Sequence, residues 1–294
     1  MTIAAIILTY NEEKHIERCI ASLLGFASEI IVIDSGSNDK TLAICSDYQV
    51  RIFHNRWVNY SQQFNYALDY VNINSHFILR IDADEYITEK SKEVLISEIR
   101  NSKFDAFSLQ RNIIFLDKYL KYGTVKNNKI IRLWRNGIGR IENTWMDERL
   151  ILSQNKKIKN LNVKIVDHNL NNIKWWTNKH LKYAVREAYD EMRCKLSSSN
   201  VSELSHMIRD NGGVRGRNKK IYRAMPIFLR VFIPFFYNLI FKFAFLDGPK
   251  GLVYLFLQTF WYRFLVDVII FENKGLKFKN DEELFSYFKK NYDL

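Results

Sequence analysis

Three cysteines in 294 residues, odd in number, far apart and without any C-x-x-C spacing, argue against both a disulfide framework and a zinc site. A reducing, cytoplasmic setting fits Cys19, Cys45 and Cys194 best. The opening Met1-Thr2-Ile3-Ala4-Ala5-Ile6-Ile7-Leu8 has no basic leader and no small-residue cleavage site before Glu12-Glu13, so it reads as a buried first strand and not as a signal peptide. Internal repeats and low-complexity linkers are absent as well. A spanning helix needs about 20 mostly apolar residues. The uncharged run between Arg230 and Lys242 is 11 residues long and contains Pro234, and the run from Gly251 to Tyr262 is 12 long, so neither is expected to span.

What the chain does have is apolar content, 47% hydrophobic with 15% aromatic, ample for a core without staples. Its charge is unevenly placed. Residues 1–100 hold 9 Lys or Arg against 14 Asp or Glu, a net of −5, so the remainder carries +17 of the total +12. An acidic half suits a cation and a basic half suits an anionic surface, nucleic acid or acidic lipid.

Short β-rich runs at residues 3–8, 30–33, 50–53 and 77–81 alternate with helical patterns at 12–24, 39–47 and 60–71. This is the pattern of an α/β fold, a Rossmann-like, mostly parallel sheet flanked by helices. Right-handed crossovers put every strand-to-helix turn along one edge, the ligand crevice of such sheets. Three of those turns are polar: Thr9-Tyr10-Asn11-Glu12-Glu13, Asp34-Ser35-Gly36-Ser37-Asn38-Asp39 and Asp82-Ala83-Asp84-Glu85. From about residue 105 to 167 short strands with turn signals at Asn136-Gly137 and Asn155-Lys156 extend the sheet. The expected division is a catalytic domain over residues 1–170 and a helical C-terminal region over 171–294.

Two carboxylates one residue apart at a strand end can share a hard divalent cation. Such a cation stabilises the charge that grows on a diphosphate as it leaves. Alone, Asp-x-Asp marks a solvated turn or a helix cap more often than a metal site. Asn11 and Asp39 equally suit helix capping. Here the pair closes the fourth strand of a parallel pattern and is joined by two other polar turns.

With Thr9-Tyr10-Asn11-Glu12-Glu13, Ile31-Val32-Ile33-Asp34-Ser35-Gly36-Ser37 with Asp39 and Thr41, and Asp82-Ala83-Asp84-Glu85, in that order and spacing, the sequence resembles the family 2 glycosyltransferases of the GT-A fold. Lys179-His180, Tyr183-Ala184, Arg186-Glu187 and Phe245-Leu246-Asp247-Gly248 make it similar to the bacterial members that extend lipopolysaccharide core, O-antigen or exopolysaccharide. The resemblance implies an inverting, metal-dependent transfer of a sugar, a hexose by analogy, from a UDP-sugar to a hydroxyl of a saccharide or lipid-linked acceptor. It assigns Thr9, Asn11, Glu12 and Asp34 to base and ribose, Asp82 to ribose or metal, and Asp84 to Mg2+ or Mn2+. Gln63 lies in a segment where Gln and Asn flank a basic residue in the family, but Phe64 stands in the basic position here, which weakens a diphosphate contact from that helix. Asp147, with Glu148 as alternate, falls in Trp145-Met146-Asp147-Glu148-Arg149, where the family carries its general base; surface ion pairs with Arg149 would look the same. His168, after the strand at residues 163–166, is a further metal or diphosphate candidate, though a strand-end His is more often a surface group.

Toward the C-terminus, Arg209, Arg215, Arg217, Lys219, Lys220, Arg223 and Arg230 stand against the single acid Asp210. Phe228, Val231, Phe232, Phe235, Phe236, Leu239, Ile240 and Phe243 then recur at helical spacing opposite a narrow stripe of Arg230, Pro234, Asn238 and Lys242. The expectation is a helix held peripherally on an anionic membrane at the inner face of the cytoplasmic membrane, with ordinary core packing as the competing reading. Nucleic acid is not expected as a partner, since an acidic crevice repels phosphate unless a cation intervenes. Two other functions fit the sequence less well. A sugar-nucleotide nucleotidyltransferase needs a Gly-rich basic loop, whereas Thr9 to Lys14 has no glycine and two glutamates; a non-catalytic basic membrane- or nucleic-acid-binding protein leaves the acidic crevice unused.

Overall fold

The computed structural model describes residues 1–100, 102–126, 128–143, 148–198 and 221–294. These form two compact units, one of Met1–Lys121 with Val125–Asn171, the other of Tyr122–Thr124 with Asn172–Leu294.

The first unit is built on a mixed sheet. β1 (Ile3–Thr9) lies between β2 (Glu29–Asp34) and β4 (Phe77–Arg80), with β3 (Arg51–His54) outside β2, and all four run parallel. Ile3, Ala4, Ala5, Ile6 and Ile7 are all at most 2% exposed. A strand covered on both faces must be apolar at every position, which is why this segment does not alternate. On one face it packs with Ile20 and Leu23 of α1 (Ile16–Leu23); on the other with Phe64 and Ala67 of α3 (Tyr60–Tyr70). Between β2 and β3 runs α2 (Thr41–Ser46). Phe64, where the family pattern favours a basic residue, is fully buried and packs beside Trp134, so this position is part of the core.

Beyond β4 come β5 (Glu85–Ile87), α4 (Glu89–Ile99), β6 (Ala106–Phe115), β7 (Lys118–Tyr119), β8 (Lys129–Arg135), β9 (Gly139–Ile141), β10 (Leu150–Leu152) and β11 (Ile158–His168). Among the described residues the sheet order is β3-β2-β1-β4-β8-β6-β11-β5, with β7 on β6, and β9 and β10 pair separately. β8 is antiparallel to both β4 and β6, while β6 and β11 are parallel, giving the expected mixed extension. Gly137 (φ 83°) and Asn155 (φ 61°) turn the chain at the two predicted turn signals.

The first helix is shorter than the pattern at 12–24. Asn11 sits at φ 56°, and Glu12 accepts from the N–H groups of His15 and Ile16, so the chain makes a tight turn before Ile16.

In the second unit, α5 (Ile173–Ser198) is followed by α6 (Phe232–Phe236), which continues into a π-helical turn at Tyr237–Phe241. A 3-10 turn at Ala244–Asp247, α7 (Gly248–Leu255), a π-helical turn at Phe256–Trp261 and α8 (Tyr262–Glu272) then join end to end, before α9 (Asp281–Tyr292). Residues Tyr122–Thr124 belong here because Asp247 accepts from the Tyr122 N–H at 2.9 Å and Lys242 O from the Gly123 N–H at 3.1 Å. Gly123 has φ 66° and lies so close to Ala244 that a Cβ would sit 2.9 Å from the alanine methyl.

Three features of this region depend on the tertiary structure. The segment Ala244–Glu272 is 29 helical residues whose most apolar 18-residue stretch has a mean hydropathy of 1.4, long and apolar enough by length and composition to cross a membrane. The interrupting charges do not break it because they are taken up by the unit itself: Asp247 and Asp267 are buried and Arg263 is paired with Glu187. Arg230 is not a surface cation either. It is 1% exposed and bonded to Glu191 at 2.8 and 3.0 Å and to Asp267. The stripe at Arg230, Pro234, Asn238 and Lys242 therefore faces inward at Arg230 and Asn238, while Phe232, Phe236 and Ile240 are exposed. The basic residues Arg209, Arg215, Arg217, Lys219 and Lys220 lie outside the described residues.

Removing the Phe64 ring should leave a cavity between α3 and the sheet. Phe64→Ala is expected to lower the unfolding free energy by about 3–5 kcal/mol, read by chemical denaturation, whereas Lys90→Ala on exposed α4 should change it by less than about 0.5 kcal/mol.

Candidate active site

All three polar turns lie at the carboxyl edge of the parallel strands, since β1 pairs with β2 through Thr9↔Asp34 and with β4 through Ile6↔Arg80. The first two are fastened together by side chains. Asn11 Oδ1 accepts from the Asn38 N–H at 2.9 Å and the Asn11 N–H donates to Ser37 Oγ at 2.9 Å. Asp39 Oδ2 accepts from the Glu13 N–H at 3.1 Å, and Glu13 Oε2 accepts from the Lys40 N–H at 3.1 Å. The Glu12 N–H donates to Thr41 Oγ1 at 2.7 Å. Asn11 and Asp39 thus cap the opposite loop.

Asp34 is fully buried at the centre of this fastening. It accepts from the Gly36 N–H at 2.8 Å, the Ser37 N–H at 3.0 Å, the Ser37 hydroxyl at 2.5 Å and the Thr9 hydroxyl at 3.2 Å. Burial alone would raise its pKa, but these donors, Ser37 foremost, outweigh it and lower it below the ordinary value. Four donors fill its lone pairs, so in this arrangement its carboxylate holds the loop. Gly36 has φ 96°, a conformation open to glycine, and brings its N–H onto Asp34. Gln63 is equally spent: buried, it donates to Ser35 Oγ at 3.0 Å and Asn55 O at 3.1 Å and accepts from Asn55 Nδ2 at 2.8 Å. Asn65 pairs with the Ile141 backbone at 2.8 and 3.0 Å.

Glu12 is oriented by a histidine that the sequence did not single out. His15 is buried, and its Nε2 accepts from the Leu170 N–H at 2.9 Å, so the ring proton sits on Nδ1 and is donated to Glu12 Oε2 at 2.6 Å.

The acidic turn is supported from beneath. Arg132 of β8 is 3% exposed and donates to Glu85 at 2.5 Å and Asp82 at 3.2 Å; Arg111 of β6 stands 3.4 Å from Glu85 and pairs with Asp167. Glu85 also accepts from the Asp82 N–H at 3.0 Å, closing the turn. Burial, with Asp82 and Asp167 adding to it, pushes Glu85 above the ordinary carboxylate range. For Asp82 burial works in the same direction, but Arg132, Arg80 and Arg111 outweigh it and hold its carboxyl well below that range. Tyr60, the first residue of α3, donates to Asp82 at 3.0 Å while Arg80 lies over its ring.

Asp84 is held more lightly. Its Oδ2 accepts from Asn169 Nδ2 at 3.0 Å, its backbone O accepts from Arg18 and from the His168 N–H, and among the described residues Oδ1 has no donor. Asp82 and Asp84 are both partly exposed, unlike Glu85. These are hard oxygen donors at an accessible edge, and they fit a divalent cation whose remaining ligands come from a diphosphate. Among the described residues no group of three His, Cys, Asp or Glu side chains could hold a metal without such outside ligands.

His168 is drawn close to the turn, yet its ring is committed. Arg18 Nη1 lies 3.1 Å from Nδ1, and a guanidinium can only donate, so Nδ1 accepts and the proton resides on Nε2, which faces Asp117 at 3.8 Å. Burial, then Arg18, lowers its pKa against the opposing pull of Asp117. In this arrangement His168 positions Arg18 and the Asp84 backbone.

Asp147 lies outside the described residues. Its described neighbours on one side are pinned to the start of α3, where Ser61 Oγ donates to Glu142 O at 2.6 Å and Asn59 Nδ2 to Asn143 at 3.4 Å. On the other side Glu148 is close enough to Tyr60 to raise the pKa of its hydroxyl, behind burial and Asp82. Arg132, Arg111, Tyr60, Arg18 and His15 escaped the sequence reading. The one signal was two arginines, Arg132 and Arg135, in the otherwise apolar segment at residues 130–135.

Asp34→Asn should destabilise the protein at pH 7 by about 1.5–3 kcal/mol, the range for hydrogen bonds to a charged group. Because the folded-state pKa is lowered, the carboxylate's contribution is complete above its unfolded pKa and lost as pH falls through the folded one. The gap between parent and variant should therefore narrow toward pH 3; a constant gap in urea titrations would contradict the assignment.

An uncharacterised glycosyltransferase of Rickettsia bellii is 29% identical over 145 residues, 48% of this chain and 49% of its own. The lipopolysaccharide core biosynthesis glycosyltransferase LpsC of Rhizobium meliloti is 28% identical over 148 residues, 48% of this chain and 54% of its own. The chain thus spans about half the length of the curated relatives it matches. Among solved structures, glucosyl-3-phosphoglycerate synthase of Mycobacterium tuberculosis with Mn2+, UDP and glucosyl-3-phosphoglycerate is similar at a TM-score of 0.33 and 20% identity, over 37% of this chain and 44% of that one. The pattern of glycosyl transferase family 2 matches residues 4–167, more than half of the chain, and the protein belongs to that family.

Proposed function

We propose that the protein transfers a hexose from a UDP-sugar, with inversion, to a hydroxyl of a saccharide or lipid-linked acceptor in the assembly of a bacterial surface polysaccharide. One observation carries this reading: an acidic turn whose inner carboxylate, Glu85, is paired with the buried Arg132 while Asp82 and Asp84 remain partly exposed beside the two fastened loops. Asp84, with Asp82 assisting, would hold Mg2+ or Mn2+. When bound, that cation supplies positive charge to the departing diphosphate.

The remaining work falls to the chain. Thr9, Asn11 and Glu12 line the nucleoside end, with Glu12 fixed by His15 and the whole surface fixed by Asp34. Arg132 keeps Nε and Nη1 without a partner among the described residues, and these donors suit an anionic oxygen at the turn. Asp147 takes the proton from the acceptor hydroxyl, and Glu148, near Tyr60 and Asp82, is the alternate base. On α5, Lys179 stands over Trp175 and Tyr183, and Arg186 over Tyr183, a cationic and aromatic face suited to an anionic saccharide. LpsC, which carries lipopolysaccharide core biosynthesis in its name, supports the polysaccharide setting. A lipid-linked acceptor would be met at the inner face of the cytoplasmic membrane.

A screen of nucleotide sugars for metal-dependent binding tests the donor assignment: a UDP-hexose should bind with Mg2+ or Mn2+, and chelation should abolish binding and transfer together. Failure of every UDP-sugar in both metals would refute it. Asp84→Asn should weaken metal-dependent donor binding, whereas Asp147→Asn should leave it nearly intact and slow transfer by roughly 10²- to 10⁴-fold. Equal losses of donor affinity in the two variants would sink the division of roles, and a Glu148→Gln variant with the larger loss of rate would move the base to Glu148.

A further inference from the structure

The second unit buries polar groups beside its apolar core and leaves a broad apolar face outside. Its interior holds Glu187, Glu191, Arg230, Asn238, Asp247, Thr259, Asp267 and Asn273, all at most 6% exposed. Arg230 is clamped between Glu191 and Asp267, and Tyr262 donates to Glu187 at 2.5 Å. One part of its outside is apolar. Between Phe232 and Phe271 the exposed positions include Ile233, Tyr237, Phe241, Phe245, Leu252 and Phe256, and only Lys250 among them is charged. Water favours the opposite arrangement, and monomeric soluble proteins seldom expose a contiguous patch of this kind.

The patch is continuous across two segments. Ring contacts run from Phe236 through Phe232 and Phe235 to Phe260, and from Phe260 to Phe256 and Phe264, joining α6 to the Ala244–Glu272 helix. The most apolar stretch of that helix is 44% buried, which is too little for an ordinary core helix. Its other side packs on α5, whose exposed positions include Lys174, Asn178 and Lys182, so lipid cannot surround it as it would a spanning helix. Exposed Lys250, Lys274, Lys277 and Lys279 lie at and beyond the ends of the apolar segments.

We infer that the aromatic face formed by α6 and the Ala244–Glu272 helix inserts into one leaflet of an anionic membrane, with these lysines at the headgroups. The inference deepens the membrane-side placement proposed above and rests on it. The difference lies in the force: a basic patch alone would hold the protein by salt-sensitive attraction, whereas a buried aromatic face holds it by removal of apolar surface from water. Buried ion pairs and the core formed by Val185, Tyr189, Leu284 and Phe288 hold the unit together without this face. A second copy of the chain would cover the same face but gives the exposed Lys274, Lys277 and Lys279 no anionic surface to meet, as lipid headgroups would.

The test is co-sedimentation of the full chain with phosphatidylglycerol and phosphatidylethanolamine vesicles, run beside metal-dependent donor binding in the same preparation. The protein should sediment with the vesicles and stay mostly bound in 1 M NaCl. The exposed double variant Phe236→Asp with Phe256→Asp should lose vesicle binding at least 10-fold while keeping its circular dichroism and donor binding. Three results would overturn the inference: release of the parent protein by salt, equal binding by the variant, or a parent dimer that the variant dissociates without any vesicle binding. Donor binding reports the proposed transferase reading separately, so either can fail alone. Should the double variant misfold, Phe241→Ser, 69% exposed, provides the same comparison.

Discussion

Buried beneath the acidic turn, the Arg132 guanidinium holds Glu85 and Asp82 together across about fifty residues of sequence. Two carboxylates so close repel each other, and charge removed from water is costly unless it is paired and hydrogen-bonded. Arg132, with Arg111 on Glu85 and Asp167, meets that condition. Much else follows from it. β8 must lie beside β4 for Arg132 to reach the turn, and β6 beside β8 for Arg111, so the mixed half of the sheet is the scaffold for one set of charges. Glu85 is the counter-ion inside, leaving Asp82 and Asp84 at the accessible edge.

The two loops on the nucleotide side follow a different logic. Their backbone N–H groups are satisfied by side chains of the opposite loop, Asn11 and Glu13 in one direction and Asp39, Ser37 and Thr41 in the other. Asp34 and Gln63 then lock the second loop from within. Residues that sequence patterns assign to ligand contact can thus act one step behind it, shaping the surface that meets the ligand. Preorganisation of this kind limits the entropy that binding must overcome.

The helical unit adds buried charge to an apolar core, where the sheet unit relies on Ile, Val and Phe. The Arg230–Glu191–Asp267 cluster and the Glu187 contacts with Tyr262 and Arg263 tie α5 to α8 from the inside. Tyr189 and Phe288 sit in its core, whereas the aromatic side chains of Phe232, Phe236, Phe241, Phe243, Phe245 and Phe256 face outward. Attachment by this surface would bring the chain to the membrane where a lipid-linked acceptor resides.

Much of the first unit was legible in the sequence because its signals are local. Four buried strands announce themselves as apolar runs, and the polar turns follow from their positions at strand ends, so the edge carrying Asn11, Asp34, Asp82 and Asp84 could be drawn before any coordinates. Glu85 could not be told from Asp84 by pattern, since the difference comes from Arg132 and Arg111, which arrive by strand pairing. His15 and His168 were likewise indistinguishable until Leu170 and Arg18 fixed their tautomers. In the second unit the sequence determined that two helical faces differ, with a stripe at every fourth residue from Arg230 to Lys242. Periodicity carries no sign: it separates a polar face from an apolar one without saying which faces inward. That was decided by tertiary structure, because Glu191 and Asp267, far away in the chain, supply Arg230 with the partners that make its burial possible.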